Sequence, residues 1–257
     1  MGLKVFVTGA KGFIGRHLME VLDNATAYTG DILDRQQLTK EMRGHTAVVH
    51  LAAKFNIEDE LSVYMTNVVG TANLVRAMQE NKIKRVVYAS SVGAGAKYFN
   101  AYDDSKHIAE KILSEKELDP IMLRFSNLYG KDQKDKLITN LLNGFEKGEV
   151  EVHWDGSQTR DFIYIDDAIR AIIAGLNAPR CKAPIDIGFG ESKSVLEVIN
   201  LISLLKDKKV KINFHPFDGG PNRNREMKVS FVDTTLANIM LGFNAKTSLE
   251  QGLSQII

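Results

Sequence analysis

The stretch VTGAKGFIG (7–15) sets glycines at 9, 12 and 15 directly behind the apolar run LKVFV (3–7). A short apolar run, a glycine turn and residues of helical period form a strand–turn–helix unit. The three glycines do different things. The first permits the tight turn, the second lets another group approach the backbone, and the third lets the helix pack close to the strand. The helix that follows offers free N–H groups and the positive end of its dipole, which suits a pyrophosphate. The unit is read as binding a dinucleotide, with an ordinary strand–helix turn as the alternative.

Downstream, strand-like and helix-like segments alternate, the pattern of an α/β fold with a parallel sheet. After the first strand, residues 13–22 place Ile14, Leu18, Val21 and Leu22 on one helical face. ATAYTGD (25–31), AVVHLAA (47–53), RVVYASS (85–91) and PIMLRFS (120–126) read as strands. DRQQLTKEMRG (34–44), residues 61–82 and AYDDSKHIAEKILSEKEL (101–118) read as the helices between them. Beyond Gly130 the pattern is less regular. EVEVHW, APIDIGF and VKINFHP are strand candidates there, and DDAIRAIIAGL, 234–241 and 249–256 are helix candidates. With 257 residues, 44% of them hydrophobic, the chain can build one large domain or a main domain with a smaller lobe.

The 33 basic and 32 acidic residues nearly cancel, so bulk charge gives no reason to expect nucleic acid or an acidic membrane as partner. No stretch approaches the roughly 20 apolar residues of a membrane span, and the first apolar run is too short for a signal peptide. The lone cysteine, Cys181, cannot form an internal disulfide and suits a reducing compartment. The expectation is a soluble cytoplasmic protein. His50, His153 and Trp154 lack metal-ligand spacing, and no metal is implied.

Two further groupings bear on chemistry. Asp31 ends the second strand at about the distance from the glycines where an acid meets a ribose 2′-hydroxyl. That would favour NAD over NADP, although Lys11 and Arg16 pull the other way; the alternative is that Asp31 only caps the next helix. Tyr102 and Lys106 are four residues apart and share a helical face. A free tyrosine has a pKa of about 10, and a neighbouring ammonium lowers it toward use as a base. Ser90 and Ser91 stand just before them, at a strand end. Taken alone, such a pair is as well explained by a solvated helix surface.

Together these residues resemble the extended short-chain dehydrogenase/reductase family, the NAD-dependent epimerases and dehydratases of nucleotide sugars. The likeness runs through TGAKGFIG, HLAA (50–53), NVVGTANL (67–74), YASS, AYDDSK, RFSNLYG (124–130), RDFIYIDDAIRAI (160–172), IDIGFGESKSVLEVI (185–199) and the tail from 231 to 253. It implies a Rossmann-like doubly wound parallel sheet with a smaller C-terminal substrate-binding lobe. Residues 1–130 would mainly bind NAD(P) and 131–257 mainly the substrate, with part of 160–190 returning to the first domain. It also implies Tyr102 as acid/base, Lys106 as its electrostatic partner and a ligand of the nicotinamide ribose, and Ser91, with Ser90 as substitute, as the hydroxyl that orients the sugar oxygen. Gly9, Gly12, Phe13, Ile14 and Gly15 would hold the cofactor. Asp31 and Ile32 would meet the adenosine, and Leu51, Ala52, Ala53, Asn67 and Phe125 would be further cofactor neighbours. Asn127, Arg160 and Arg223 would hold the sugar diphosphate, with surface charge as the alternative for the two arginines.

The chain departs from the family's usual pattern in two places. Between Gly15 and Gly30 there is room for only one helix and one strand. Either Asp31 merges two roles or the sheet lacks an element, which leaves NADP open. Only ten residues separate Ser91 from Tyr102, so the pocket is either more open or completed by other segments. The expected reaction is C4 epimerisation of a nucleotide sugar. A 4-keto-sugar reductase is the alternative, and a 4,6-dehydratase is disfavoured because SSVGAGA (90–96) carries no acid. A non-catalytic, cofactor-binding regulatory module is the alternative of another class. The resemblance further implies a homodimer through helices 61–82 and 101–118, with Val68, Leu74, Val75 and Met78 either at that interface or in the core.

Overall fold

A computed structural model describes residues 2–55, 59–96, 100–114, 117–216 and 231–257. Strand β1 (Val5–Thr8) is buried throughout, because strands flank it on both sides. It leads through the glycine turn into helix α1 (Phe13–Val21) and then strand β2 (Ala25–Ala27). Helix α2 (Arg35–Glu41), capped by the Asp34 side chain, precedes strand β3 (Ala47–His50). Helices α3 (Glu60–Tyr64) and α4 (Gly70–Glu80) lead to strand β4 (Arg85–Ser91). Helix α5 (Ala101–Leu113) and strand β5 (Asp119–Phe125) complete this series.

These strands form one parallel sheet in the order β2-β1-β3-β4-β5, extended at its far side by a late strand, β9 (Ile185–Ile187). Alternate residues of each strand face opposite ways. Val5, Val7, Val49, Val87 and Ile121 enter one core, and Phe6, Val48, Val86, Tyr88 and Met122 the other. Helix α1 covers the first face. Helices α2, α4 and α5 cover the second through Leu38, Leu74, Met78 and Leu113. This is the doubly wound α/β arrangement the sequence predicts. One detail differs: Val21 is 56% exposed, and Met19 joins Ile14, Leu18 and Leu22 on the packed side of α1.

The short spacing between Gly15 and Gly30 has a plain structural meaning. A dinucleotide-binding sheet of the order 3-2-1-4-5-6 carries two strands beyond the first. Here β2 alone lies outside β1, pairing over only three residues. Among the described residues the sheet lacks an element.

The predicted helix 61–82 is interrupted. At Met65–Val69 it widens, and the Gly70 N–H reaches back five residues to the Met65 carbonyl. Gly70 also packs on Ile32, whose Cγ2 would lie 2.6 Å from any added Cβ. Leu74, Val75 and Met78 are core residues, so burial accounts for them, and none is available to a partner surface.

The later chain adds strand β6 (Asn127–Tyr129), helix α6 (Leu137–Lys147), strand β7 (Glu149–His153), strand β8 (Thr159–Tyr164) and helix α7 (Ile165–Asn177). Helix α7 packs beside α1 on the first face of the sheet. After β9 come strand β10 (Ser192–Ser194), helix α8 (Val195–Lys206), strand β11 (Lys211–His215), helix α9 (Thr235–Leu241) and helix α10 (Leu249–Ser254). Two small sheets result, β10-β8-β6 and β11-β7. Helices α8 and α10 both start in capping boxes, Ser194 with Glu197 and Ser248 with Gln251. Buried Asp161 accepts from the N–H groups of Phe189 and Gly190 and from the Ser126 hydroxyl, tying β8 to the ends of β9 and β5. Among the described residues no helix is long and apolar enough to cross a membrane.

One buried polar chain crosses the second face. His50 bonds the Thr8 hydroxyl through Nδ1 (2.7 Å) and the Thr71 hydroxyl through Nε2 (2.9 Å), linking β3 to β1 and α4. Burial, aided by the Lys106 charge, pushes the His50 pKa down to about 3. A base whose folded pKa lies below its unfolded value costs stability at low pH. The unfolded ring takes up its proton near 6.5, and the folded ring does not until about 3. Stability should therefore fall as pH drops below about 6.5. Urea unfolding should show the wild type losing about 2 kcal/mol more than His50→Gln between pH 7 and pH 5. Equal losses would place the acid sensitivity elsewhere.

Candidate active site

The glycine turn sits where β1 ends, between outward-going β2 and β3, the point at which the strand order reverses. Ligands of open parallel sheets bind outside the carboxyl ends of the strands at such a point. Gly9 holds a left-handed φ of +72°, and an added Cβ would come within 2.5 Å of the Ala52 nitrogen. A Cβ on Gly15 would overlap the Gly9 carbonyl, so α1 can begin directly against the turn. Gly12 differs: only the Gly9 oxygen, at 3.2 Å, lies near its Cβ position, and the rest of its surroundings are open. The three glycines thus differ in the way the motif requires, and the space over Gly12 fits a pyrophosphate.

That space belongs to a cavity of about 570 Å³. Gly9, Gly12, Phe13, Ile14 and Gly15 line it from the turn, and Leu51 and Ala53 line it beyond β3. Ser91, Tyr102, Phe125 and Asn127 line it from β4, α5 and the β5–β6 junction. The loop 131–136 supplies the remaining wall. His17 Nε2 lies 3.3 Å from the Lys131 carbonyl, and an Arg16 Nη donates to the Asp132 carbonyl at 3.4 Å, so the loop is latched onto α1. The short connection between Ser91 and Tyr102 is therefore complemented by another segment.

Ser91, Tyr102 and Lys106 meet at the β4–α5 junction. The Lys106 Nζ lies 5.7 Å from the Tyr102 ring centroid and donates to the Ala89 carbonyl at 2.7 Å. It is almost wholly buried, which brings its pKa down to about 7 against the opposing pull of Glu110. The expected lowering of the tyrosine pKa is overturned here. Burial, seconded by the Asp103 charge, pushes the Tyr102 phenol up, and the group presented at neutral pH is a phenol. Ser90 also reaches the cavity, but its hydroxyl donates to Glu110 at 2.6 Å. Glu110 in turn takes both arms of a bidentate pair with Arg124. Ser91 accepts from the Gly93 N–H at 3.1 Å and its hydroxyl bonds the Asp103 carboxylate, so both serines are partnered.

Other predicted residues stand further off. Lys106 and Ala52 are beneath the lining rather than in it. Ile32 is buried in the second core, against Gly70. Asp31 is exposed outside the cavity and its Oδ1 accepts from the Leu33 N–H, while the cap of α2 is Asp34. Asn67 lies under the cavity floor. Its side chain pairs with the backbone of Lys54 in both directions and donates to the Ser105 hydroxyl, which bonds the Tyr102 carbonyl. Arg160 donates to the Thr159 carbonyl from β8 and does not line the cavity. Arg223 lies outside the described residues.

Sequence reasoning missed Asp103. It follows Tyr102, and its carboxylate is held by Asn100 at 2.8 Å and by the Ser91 hydroxyl. Gly93 makes room for it, since an added Cβ would overlap the Asp103 Oδ1. The turn itself carries no acid, yet one reaches Ser91 from α5. Gly93→Ala should lower stability by about 1–3 kcal/mol in urea unfolding. In Asp103→Ala the same change should cost much less, because the overlapping carboxylate is gone. Additive losses would contradict this contact.

The sequence model of the NAD dependent epimerase/dehydratase family matches residues 5–188. A UDP-N-acetyl-alpha-D-glucosaminuronate decarboxylase of Bacillus cytotoxicus is 29% identical over 313 aligned positions, covering all of this chain and 97% of the relative. A UDP-glucuronate 4-epimerase of Thermodesulfobacterium geofontis is 27% identical, covering 91% of this chain and 79% of its own. The solved structure of MoeE5 with UDP-glucuronic acid and NAD superposes with a TM-score of 0.87 at 26% identity, over 98% of this chain and 97% of that one.

Proposed function

Because the chain belongs to the NAD-dependent epimerase/dehydratase family, we propose that it is a nucleotide-sugar 4-epimerase that oxidises and re-reduces the C4 hydroxyl at Ser91, Tyr102 and Lys106. The observation that carries this is the convergence of a serine, a phenol and a buried lysine at one cavity whose other wall is the glycine turn. A binding-only module has no use for such a grouping. The likeness to a UDP-glucuronate 4-epimerase and to a protein solved with UDP-glucuronic acid and NAD supports the same choice.

NAD supplies the hydride acceptor and donor when bound. The chain's own residues do the rest. The N–H groups behind Gly12 would hold the pyrophosphate, and Asp31, Leu51 and Ala53 would meet the adenosine and ribose. Tyr102, kept protonated by burial, is ready to give its proton to a ketone oxygen. To take a proton from an alcohol it must first be a phenolate, which the charged form of Lys106 favours. The Ala89 carbonyl fixes that ammonium beneath the ring. Ser91 would orient the same sugar oxygen, and Asn127, which lines the cavity, would serve the diphosphate. The segment after Gly130 would act mainly as the substrate lobe. The buried lone thiol of Cys181 suits the cytoplasm.

The decisive assay incubates the purified chain with UDP-sugars and no added cofactor, and resolves products by NMR. A C4-inverted product is expected. Turnover only of a 4-keto sugar, and only with added NADH or NADPH, would mean a reductase instead. Tyr102→Phe should lower kcat by about 10²–10⁴-fold while UDP-sugar binding persists. Unchanged turnover would remove Tyr102 from the mechanism.

A homodimer is part of the same proposal. Leu61, Met65 and Val69, spaced by four along α3 and the wide turn, are 74, 39 and 40% exposed and form an apolar stripe. Sedimentation should find a dimer that Leu61→Glu weakens. A monomeric wild type would rule it out.

A further inference from the structure

We infer that Lys136 selects for a carboxylate on the sugar, making nucleoside-diphosphate uronates, rather than neutral hexoses, the preferred substrate class. This rests on the cavity being a nucleotide-sugar site.

The lysine's position is set by the latched loop. Besides its bonds to α1, the loop is tied at Gln133, whose Nε2 donates to the Leu128 carbonyl at 2.7 Å. Lys134 and Lys136 are thereby carried into the cavity wall. The Lys136 Nζ sits 4.0 Å from the centroid of the Phe55 ring. That ring stands edge-on to Tyr102, with centroids 5.0 Å apart. The ammonium is thus one aromatic ring away from the phenol that would meet the C4 oxygen.

The charges lining the cavity fall into two groups. Lys11 and Arg16 lie on the glycine turn and α1, where a cofactor pyrophosphate would be. Lys134 and Lys136 lie on the latched loop, and Asp132 is the sole acid among the described lining residues. Of these, Lys136 is the cation tied through Phe55 to the Tyr102 end, where the sugar would react. Lys136 is exposed as a residue, but its ammonium lies against the Phe55 face, which partly strips it of water; that desolvation pulls its pKa down while Asp135 pulls it up. An ammonium so placed gains most from an anion. The carboxylate of a uronate is borne on C5, next to C4, so it lies one ring position from the oxygen at Tyr102. A hydroxymethyl group at that position offers no charge, and a flexible lysine stem can reach a carboxylate there.

The diphosphate is the competing anion, and the test separates the two. NAD-saturated wild type, Lys136→Gln and Lys136→Arg would be assayed for kcat/KM on UDP-glucuronic acid and UDP-glucose, with UDP binding measured by calorimetry. The wild type should prefer the uronate. Lys136→Gln should reduce that preference about ten- to a hundredfold, and Lys136→Arg should restore much of it. Equal losses on both sugars, with weakened UDP binding, would assign Lys136 to the diphosphate and overturn the inference. So would a wild-type preference for the hexose, or a ratio that Lys136→Gln leaves unmoved. Should neither sugar turn over, the epimerase function fails. The ratio of the two sugars' dissociation constants then decides the role of Lys136 separately, by the same criteria.

Discussion

The backbone of Gly9 lies so close to Leu51 and Ala52 that no side chain fits between them. The turns after β1 and β3 are thereby pressed together at the place where the sheet reverses its order. Everything else in the site takes its position from that contact. Helix α1 can start at once, its N-terminus points into the crevice, and the latched loop finds α1 where it needs it. A methyl group at Gly9 would also meet the penalty of φ at +72°. The strain-free choice is glycine on both counts.

Two networks of buried polar groups brace helix α5 beside this contact. One runs from Thr8 through His50 and Thr71 to the wide turn at Asn67, and on through Ser105 to the backbone of Tyr102. The other joins Ser90, Glu110 and Arg124 under the opposite side of the same helix. Between them α5 is held against β4 with Tyr102 in its first turn. Partnered polar groups of this kind specify one arrangement, because slipping the helix would leave several of them unsatisfied at once. The widened turn has a comparable use: it swings Asn67 inward to brace Lys54 and, through it, the segment that carries Phe55.

The sequence makes some of this plain and conceals the rest. The glycines, the four-residue spacing of Tyr102 and Lys106, and the alternation of apolar strands and amphipathic helices are local patterns, and local patterns survive in one dimension. Strands β6 and β10 are three residues long, too short for a period to show. Helix α6, by contrast, has a legible period, with Ile138, Leu141, Leu142 and Phe145 on its packed face. The missing outer strand is legible only as a deficit in length. Asp103 and Lys136 are invisible for a different reason. Their importance lies in contacts with Ser91 and Phe55, and nothing in the sequence marks residues from separate elements as neighbours. Tyr102 shows the limit of reasoning by pairs: its spacing from Lys106 is legible, while the burial that raises its pKa is not.

The loss of the outer strand also alters how the sheet ends. An open edge displays unpaired N–H and C=O groups, and a long flat edge invites pairing with another chain. Here the described main sheet finishes in β2 on one side and β9 on the other, each three residues long. Edges of that length offer too few groups to template an intermolecular ladder. Borders this short make the main sheet a poor docking site for a foreign strand.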